Sequence, residues 1–288
     1  MSTQPAAGDN APTPGPEQPD GGRLGRLLRA PLGWMVVGLL GLGLVSGLTA
    51  AGPGPVPALG AVAAVGVYWL LMQRLAHRST PEVGRRGAAR EALFGGAIGL
   101  GFVLLSTLVI VMFGGYSFSW TGDGVFTVVV SAVVVQGAAA VTEELMFRGV
   151  ALQALEQMLG SRAAIVITGL FFGVAHLGAP SATAWSALCI ALEAGVMLGA
   201  AFLWRRSIWF VVGLHFVWNV MEQLLGIPVS GHTPEGLFTV DVSGGTWLTG
   251  GGFGLEAALV TLVVGSLIAV RMVTLAGRSG RLVSRRSA

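Results

Sequence analysis

Residues 141–149 read Val-Thr-Glu-Glu-Leu-Met-Phe-Arg-Gly, which places two adjacent carboxylates and an arginine inside an otherwise apolar run. A charged side chain in the hydrocarbon of a bilayer costs from about 3 to above 10 kcal/mol, so such residues are rare there and indicate a function. On a helix, Glu144 and Arg148 lie four residues apart and can pair, whereas Glu143 points to a different face. We therefore predict that Glu143 has partners elsewhere in the chain.

The composition around this stretch is that of a membrane protein. The chain has 288 residues, of which 53% are hydrophobic and 11% charged, and its mean hydropathy is +0.75. Apolar runs of about 20 residues recur, each long enough to cross a bilayer as a helix. The sequence predicts an all-α fold, a polytopic bundle of about eight transmembrane helices embedded in the lipid bilayer of the cell membrane. The predicted segments are 32–51, 56–76, 91–114, 124–147, 162–178, 182–204, 207–226 and 254–276.

The basic residues give the predicted orientation. Lysine is absent and all 17 basic residues are arginines. They lie before the first segment, in every second connection and after the last segment, while the other connections have none. Because arginine-rich connections stay in the cytoplasm, we predict that both termini are cytoplasmic. The arginines form no continuous stripe and belong to no recognised nucleic-acid motif, which argues against a nucleic-acid partner.

The regions outside the apolar segments are predicted from their composition. Residues 1–22 are rich in Pro, Gly and Ala and are predicted to be a disordered cytoplasmic tail. Residues 23–90 are predicted to form two transmembrane helices with a basic loop, and residues 278–288 a basic cytoplasmic tail. The connection 227–253, with its prolines and glycines, is predicted to be a flexible external loop. Its His232 is predicted to be solvated, with a role at a site entrance as the alternative.

Small residues are predicted to bring the helices together. Glycines four residues apart allow close backbone approach in lipid, and four such pairs occur: Gly43/Gly47, Gly95/Gly99, Gly169/Gly173 and Gly195/Gly199. The single Cys189 lies in an apolar run and is predicted to be a small buried residue. With no second cysteine, no disulfide within the chain is possible.

Three further polar residues interrupt apolar segments: His176 in FFGVAHLG, and His215 with Asn219 in GLHFVWNV. His215 and Asn219 are four residues apart and share one helix face. If the fourth segment continues to a turn at Gly160, it forms a hairpin with the fifth, and Glu143 and His176 both lie about 25 Å from that turn. His215 and Asn219 lie about 14 and about 20 Å into the seventh segment. We predict that the four side chains converge on one pocket, provided that Gly149 does not break the helix.

Such a pocket could activate water. A carboxylate beside an imidazole can take a proton from water, while a second histidine and an amide can donate to the oxyanion that forms during peptide hydrolysis. A metal variant has Glu143, His176 and His215 as three ligands of a divalent ion such as zinc, with water as the fourth. The alternative is that the buried polar residues only join neighbouring helices.

Three further polar residues are weaker candidates. Gln136 lies seven residues before Glu143, and Glu222 seven after His215, so both could extend a polar face toward the pocket. Glu193 is an isolated acid that we expect to face the bundle interior. For each of them, lining a wet cavity or pairing with a neighbouring backbone group is the alternative reading.

The three motifs together resemble the signature of a known family. EExxxR (Glu143, Glu144, Arg148), FxxxH (Phe172, His176) and HxxxN (His215, Asn219) are similar, in this order, to the motifs of the CPBP or Abi family, bacterial relatives of type II CAAX prenyl endoproteases. The resemblance implies that residues 91–277 form an all-helical intramembrane endopeptidase domain. Its substrate would be a peptide or protein in the membrane, including CAAX-type prenylated ones, and its cofactor either none or a divalent metal.

The resemblance also implies a role for each motif residue. Glu143 and His176 would activate water. His215 and Asn219 would form the oxyanion site. Glu144 and Arg148 would orient the pocket.

Other functions remain open at this stage. No HExxH or GxSxG motif is present, and Thr121-Gly122-Asp123-Gly124 is not the GxGD motif of aspartyl membrane proteases. A catalytically silent membrane protein, acting in bacteriocin self-immunity or as a scaffold, is the alternative to an enzyme. A transporter is supported only by the buried charge, since no inverted repeat is evident.

Overall fold

The computed structural model describes residues 22–122 and 124–285, and most of this chain is helical. The helices are α1 (Arg23–Arg29), α2 (Pro31–Thr49), α3 (Val56–Arg74), α4 (Ala88–Met112), α5 (Val125–Glu144), α6 (Leu152–Leu159), α7 (Ser161–Ala175), α8 (Ala184–Ile190), α9 (Leu198–Arg205), α10 (Ile208–Leu224), α11 (Thr246–Thr249) and α12 (Leu259–Arg278). Two strands, β1 (Tyr116–Trp120) and β2 (Phe238–Val242), form a small sheet.

The predicted polytopic helical bundle is confirmed. Within the described ranges, seven helices are long and apolar enough to cross a membrane, and α10 is a shorter apolar helix of 17 residues. Each of the eight predicted segments therefore corresponds to a helix, and the protein is a multi-pass membrane protein. The orientation of these helices across the bilayer stays a prediction.

The fourth span is longer than its apolar run suggested. α5 continues through a π-helical stretch, Leu145–Ala151, into α6, so one continuous helix of 35 residues runs from Val125 to Leu159. It ends at Gly160, whose φ of +81° favours glycine, and α7 returns antiparallel to it. The predicted hairpin is thus present. Gly149 lies in the π-helical stretch and packs against the Tyr68 ring without breaking the helix.

A second π-helical stretch, Ala191–Met197, joins α8 to α9 and packs against α7. Gly195 meets Gly169 there so closely that an added Cβ would lie 2.6 Å from the Gly169 Cα. Gly95 and Gly99 likewise contact the backbone of α10, so three of the four predicted glycine pairs form helix contacts. Gly43 and Gly47 do not bring two backbones together, because a Cβ at Gly47 would meet nothing within 4 Å and one at Gly43 would meet only the Met146 Cε, at 3.8 Å.

The prediction of a flexible loop at 227–253 is wrong. β2 lies in this connection and pairs antiparallel with β1, with Tyr116 opposite Val242. The Tyr116 hydroxyl donates to the Thr249 carbonyl, and the rings of Trp120 and Phe238 pack edge to face at 5.1 Å. Cross-strand aromatic contacts of this kind, together with the ladder hydrogen bonds, order a connection that its glycines alone would leave mobile.

The last span also begins later than predicted. α12 starts at Leu259, whereas residues Leu255–Ala257 form a buried 3₁₀ turn that folds back between the helices. Trp185 Nε1 donates to the Ala257 carbonyl at 2.8 Å and fixes the turn against α8. Glu256 therefore lies outside the span and inside the protein.

The connections that carry arginines lie at the end of the bundle opposite to the β1–β2 sheet. Arg206 contacts Glu156 at 2.6 Å, and the Ser161 amide donates to the Val283 carbonyl at 2.9 Å, so the chain after α12 packs on the α6–α7 turn. The predicted disorder of residues 1–22 lies outside the described residues, apart from Gly22. The predicted division into a two-helix N-terminal part and a domain at 91–277 stays a prediction.

Candidate active site

The predicted ion pair between Glu144 and Arg148 is present at the point where α5 enters its π-helical stretch. Arg148 Nη1 donates to Glu144 Oε1 at 3.0 Å, and the side chains are 2% and 0% exposed. Removing two such charges from water is tolerated only when each finds partners, so further contacts are required.

Arg148 finds its other partners in the second π-helical stretch. Its Nη2 donates to the carbonyls of Ala194 and Gly195, the latter at 3.2 Å. A π turn disturbs the regular hydrogen bonding of an α-helix and leaves carbonyl groups available to such a donor. Arg148 thereby joins the long α5–α6 helix to the α8–α9 helix in the centre of the bundle.

His215 is the second partner of Glu144. Its Nδ1 lies 2.8 Å from Glu144 Oε1, the oxygen that Arg148 also contacts, and the histidine is buried. Because a carboxylate only accepts, this contact places a proton on Nδ1 and leaves Nε2 for a ligand. Sequence analysis assigned Glu144 to Arg148 alone and missed this contact, since helical spacing says nothing about α10.

The FxxxH motif is explained by stacking. The rings of Phe172 and His176 stack at 4.5 Å, and Phe172 also lies under the Arg148 guanidinium at 5.1 Å. His176 Nδ1 lies 2.8 Å from the Phe172 carbonyl. A carbonyl can only accept, so Nδ1 carries the proton and Nε2 is free to accept one. One phenylalanine thus positions both a histidine and the buried arginine.

The four predicted residues Glu143, His176, His215 and Asn219 line the same cavity, as expected from their depths. Its volume is about 330 Å³. Glu143 is half-buried, and its carboxylate makes no hydrogen bond to any residue that the structure describes. The cavity thus combines a carboxylate, two imidazoles and an amide.

Asn219 is held by a chain of amides. Its Nδ2 donates to Gln136 Oε1 at 3.4 Å, Gln136 Nε2 donates to Gln223 Oε1 at 2.8 Å, and Gln223 Nε2 donates to the Glu235 carbonyl at 3.3 Å. Gln136 also lines the cavity, as its spacing from Glu143 indicated. One of the two amide protons of Asn219 is engaged in this chain, so the other is available to a ligand.

Glu256 lines the same cavity and was missed by sequence analysis. It is 1% exposed and accepts hydrogen bonds from the Ser230 amide at 2.9 Å and the Ser230 hydroxyl at 2.8 Å. Burial raises its pKa from 4.5 to about 7, with a smaller contribution from Glu143 and against the effect of Ser230 and His215. In the sequence, Glu256 is an isolated acid beside an apolar run, and the same kind of signal drew attention to Glu193.

The remaining candidates are divided between the cavity and the bundle interior. Glu193 is fully buried, as expected, and both of its carboxylate oxygens lack a hydrogen-bond partner among the described residues. Glu222 is also fully buried but does not line the cavity, contrary to the expectation from its spacing. His232 is exposed, as predicted, and it lies at the cavity wall, which fits the alternative reading as well.

The residues suggested for a metal do not assemble as a ligand set. Among residues 22–122 and 124–285, no group of three or more His, Cys, Asp or Glu side chains is arranged to hold a metal ion. Both histidines direct Nδ1 at protein oxygens, Phe172 O and Glu144 Oε1. A metal site therefore stays a prediction, since Nε2 of both histidines is free for a ligand, and the metal content of the purified protein tests it.

Comparison with known proteins agrees with this geometry. Residues 124–221, from the start of α5 to near the end of α10, match the family model described as type II CAAX prenyl endopeptidase Rce1-like. The matched segment covers about a third of the chain and supports the resemblance to the CPBP family of intramembrane proteases. The match contains all seven residues named in the three motifs, while α2, α3, α12 and Glu256 lie outside it. No curated protein and no solved structure gives a significant match.

The match supports, in general terms, a CAAX-type endopeptidase of the membrane that acts on a peptide substrate.

Proposed function

We propose that the protein is an endopeptidase that hydrolyses peptide bonds of membrane-associated substrates in the central cavity. The observation that carries this proposal is the meeting of Glu143, His176, His215 and Asn219 at one cavity, although they come from three helices and from separate motifs. A set of polar residues that only joined helices would be paired with each other, whereas Glu143 and the Nε2 atoms of both histidines are left for a ligand.

The reaction begins with a water molecule between Glu143 and His176. Glu143 takes a proton from this water, while His176 Nε2 accepts a hydrogen bond from its second hydrogen and orients it. The resulting hydroxide adds to the carbonyl carbon of the scissile peptide. The proton then passes from Glu143 to the leaving amine as the C–N bond breaks, so that a carboxylic acid and an amine are released and Glu143 returns to its initial state.

The oxyanion formed by this addition is stabilised by His215 and Asn219. Asn219 donates its free amide hydrogen, and His215 donates from Nε2 while Nδ1 stays bonded to Glu144. With both ring nitrogens protonated, His215 together with Arg148 and Glu144 has a net charge of +1, which attracts the developing negative charge. Since the group is rigidly held before the reaction, little reorganisation is needed.

Glu143→Gln is the test of this proposal, because the amide keeps the size of the side chain and cannot take a proton. New peptide termini in membranes of cells that produce the native protein should be missing from cells that produce the variant in equal amount. Glu235→Gln, at an exposed acid of the 227–253 connection, is the matched control and should leave the termini unchanged. Identical termini with native protein and Glu143→Gln would contradict the proposal and favour a catalytically silent protein.

A further inference from the structure

The two ends of the bundle differ sharply in charge. The end that we call the arginine end consists of the segment before α2 and the connections 75–87, 160, 206–207 and 279–285. Hydrogen bonds join these connections: the Arg206 guanidinium donates to the Arg281 carbonyl at 2.5 Å, and Trp209 Nε1 donates to the Gly84 carbonyl at 3.2 Å. Apart from the buried Arg148, every described arginine lies in these connections or within about two helical turns of them.

The other end, the cavity end, consists of the connections 50–55, 113–124, 176–183 and 225–258. None of these sequences contains an arginine or lysine. Pairing of β1 with β2 joins two of them, and Trp185, at the start of α8, donates to the Ala257 carbonyl. The exposed acids Glu235 and Asp241 lie at this end.

The cavity reaches the surface at the cavity end. No residue of the connections at the arginine end lines it. Its wall includes residues from two connections of the cavity end: His176, Ala179, Val229, Ser230, His232, Pro234 and Glu256. His232 is exposed, so the wall that it forms is continuous with the protein surface.

The arginine asymmetry fixes how the bundle sits in a membrane. Short connections that carry arginine are retained on the cytoplasmic side, and every described arginine outside the bundle interior is at one end. The arginine end is then cytoplasmic and the cavity end faces the opposite side.

We infer that the active-site cavity opens on the non-cytoplasmic side of the membrane, and that its substrates are peptide segments exposed on that side. This inference rests on the proposed peptidase function for the identity of the reaction, but its orientation argument is independent of catalysis. The substrates are flanks of membrane-anchored proteins or exported peptides. A prenylated C terminus displayed in the cytoplasm would meet the arginine end, where the cavity has no wall.

Thiol labelling in intact cells tests the orientation. Cys189 is buried and is the only cysteine, so Cys189→Ala gives a background without thiols. Thr233→Cys then places a thiol at an exposed residue between His232 and Pro234, and Ser79→Cys places one at an exposed residue of the arginine end. A membrane-impermeant maleimide should label Thr233→Cys in intact cells and Ser79→Cys only after permeabilisation. The reverse pattern would overturn the inference.

A two-sided reporter tests the substrate side. The reporter is a single-span membrane protein that carries one peptide segment twice, once on each flank. This segment is chosen from the termini that the native protein generates. The native protein should cut only the external flank, and Glu143→Gln neither. Cutting of the cytoplasmic flank alone would overturn the inference about substrates. If labelling confirms the orientation but native protein and Glu143→Gln give the same cleavage, the peptidase proposal fails while the orientation stands.

Discussion

His215 Nδ1 lies 2.8 Å from Glu144 Oε1, the same oxygen that accepts from Arg148 Nη1 at 3.0 Å. One buried carboxylate oxygen therefore serves a structural cation and a histidine of the cavity. The stability of the bundle centre and the geometry of the cavity are coupled at this atom.

Replacement of Arg148 should destabilise the protein strongly. Arg148→Met breaks a buried ion pair and leaves the Glu144 carboxylate with His215 alone as its described partner, and breaking such a pair costs about 3–5 kcal/mol in other proteins. The variant should unfold at a clearly lower temperature than the native protein in detergent. Arg205→Met is the matched control, since its pair with Glu91 is partly exposed and should contribute no more than about 1 kcal/mol. Equal losses for both variants would show that burial of the central pair is unimportant.

Asn219→Ala should lower kcat about 100- to 1000-fold with a small change in KM, because an oxyanion donor acts mainly in the transition state. Gln136→Met should give a smaller loss, since it frees the amide of Asn219 without removing it. Cleavage of a reporter identified from the membrane termini gives both values. An equal rise in KM for both variants, at constant kcat, would instead assign the amides to substrate binding.

Glu256 should make the stability of the protein depend on pH. Its folded pKa of about 7 lies above the ordinary value of 4.5, so the folded protein binds the proton more tightly than the unfolded chain. The stability from this group is complete below about pH 4.5 and is lost as the pH rises through about 7. The groups that act on it include Glu143, His215, Glu222 and the Ser230 hydroxyl.

Thermal unfolding in detergent between about pH 5 and about pH 8 checks this effect. The unfolding temperature of the native protein should fall with rising pH, and Glu256→Gln should flatten the curve. Glu235→Gln is the control and should reproduce the native slope. A native slope in Glu256→Gln would assign the pH dependence to other groups.

The contact between Gly195 and Gly169 leaves no room for a methyl group. In Gly195→Ala the new Cβ would lie 2.6 Å from the Gly169 Cα, so the helices must separate and the carbonyls that Arg148 contacts must move. We expect a loss of about 1–3 kcal/mol in unfolding free energy and lower peptidase activity. Gly47→Ala, where the methyl meets nothing within 4 Å, should leave both unchanged. Native stability in Gly195→Ala would mean that the helices repack at no cost.

Local rules were sufficient for the helices, the Glu144–Arg148 pair and the convergence of the motif residues. Hydropathy locates a span, and rise per residue gives depth along it, so Glu143 and His176 could be matched from their distances to Gly160. Glu256 could not be found in this way, because its burial depends on how residues 255–257 fold back between helices. The pairing of β1 with β2 joins connections far apart in sequence, and nothing local selects that partner.

The two π-helical stretches make the centre of the protein sensitive to the number of residues in its helices, and not only to the identity of the side chains. A π turn contains about one residue more than an α turn. Deleting one residue from 145–147 would let this helix return to α geometry and leave the part up to Leu159 facing the same way, because the π turn holds the extra residue. Arg148 would then follow Glu144 by three positions instead of four. In these two turns the number of residues is itself under constraint, so the site should tolerate many substitutions better than one insertion or deletion.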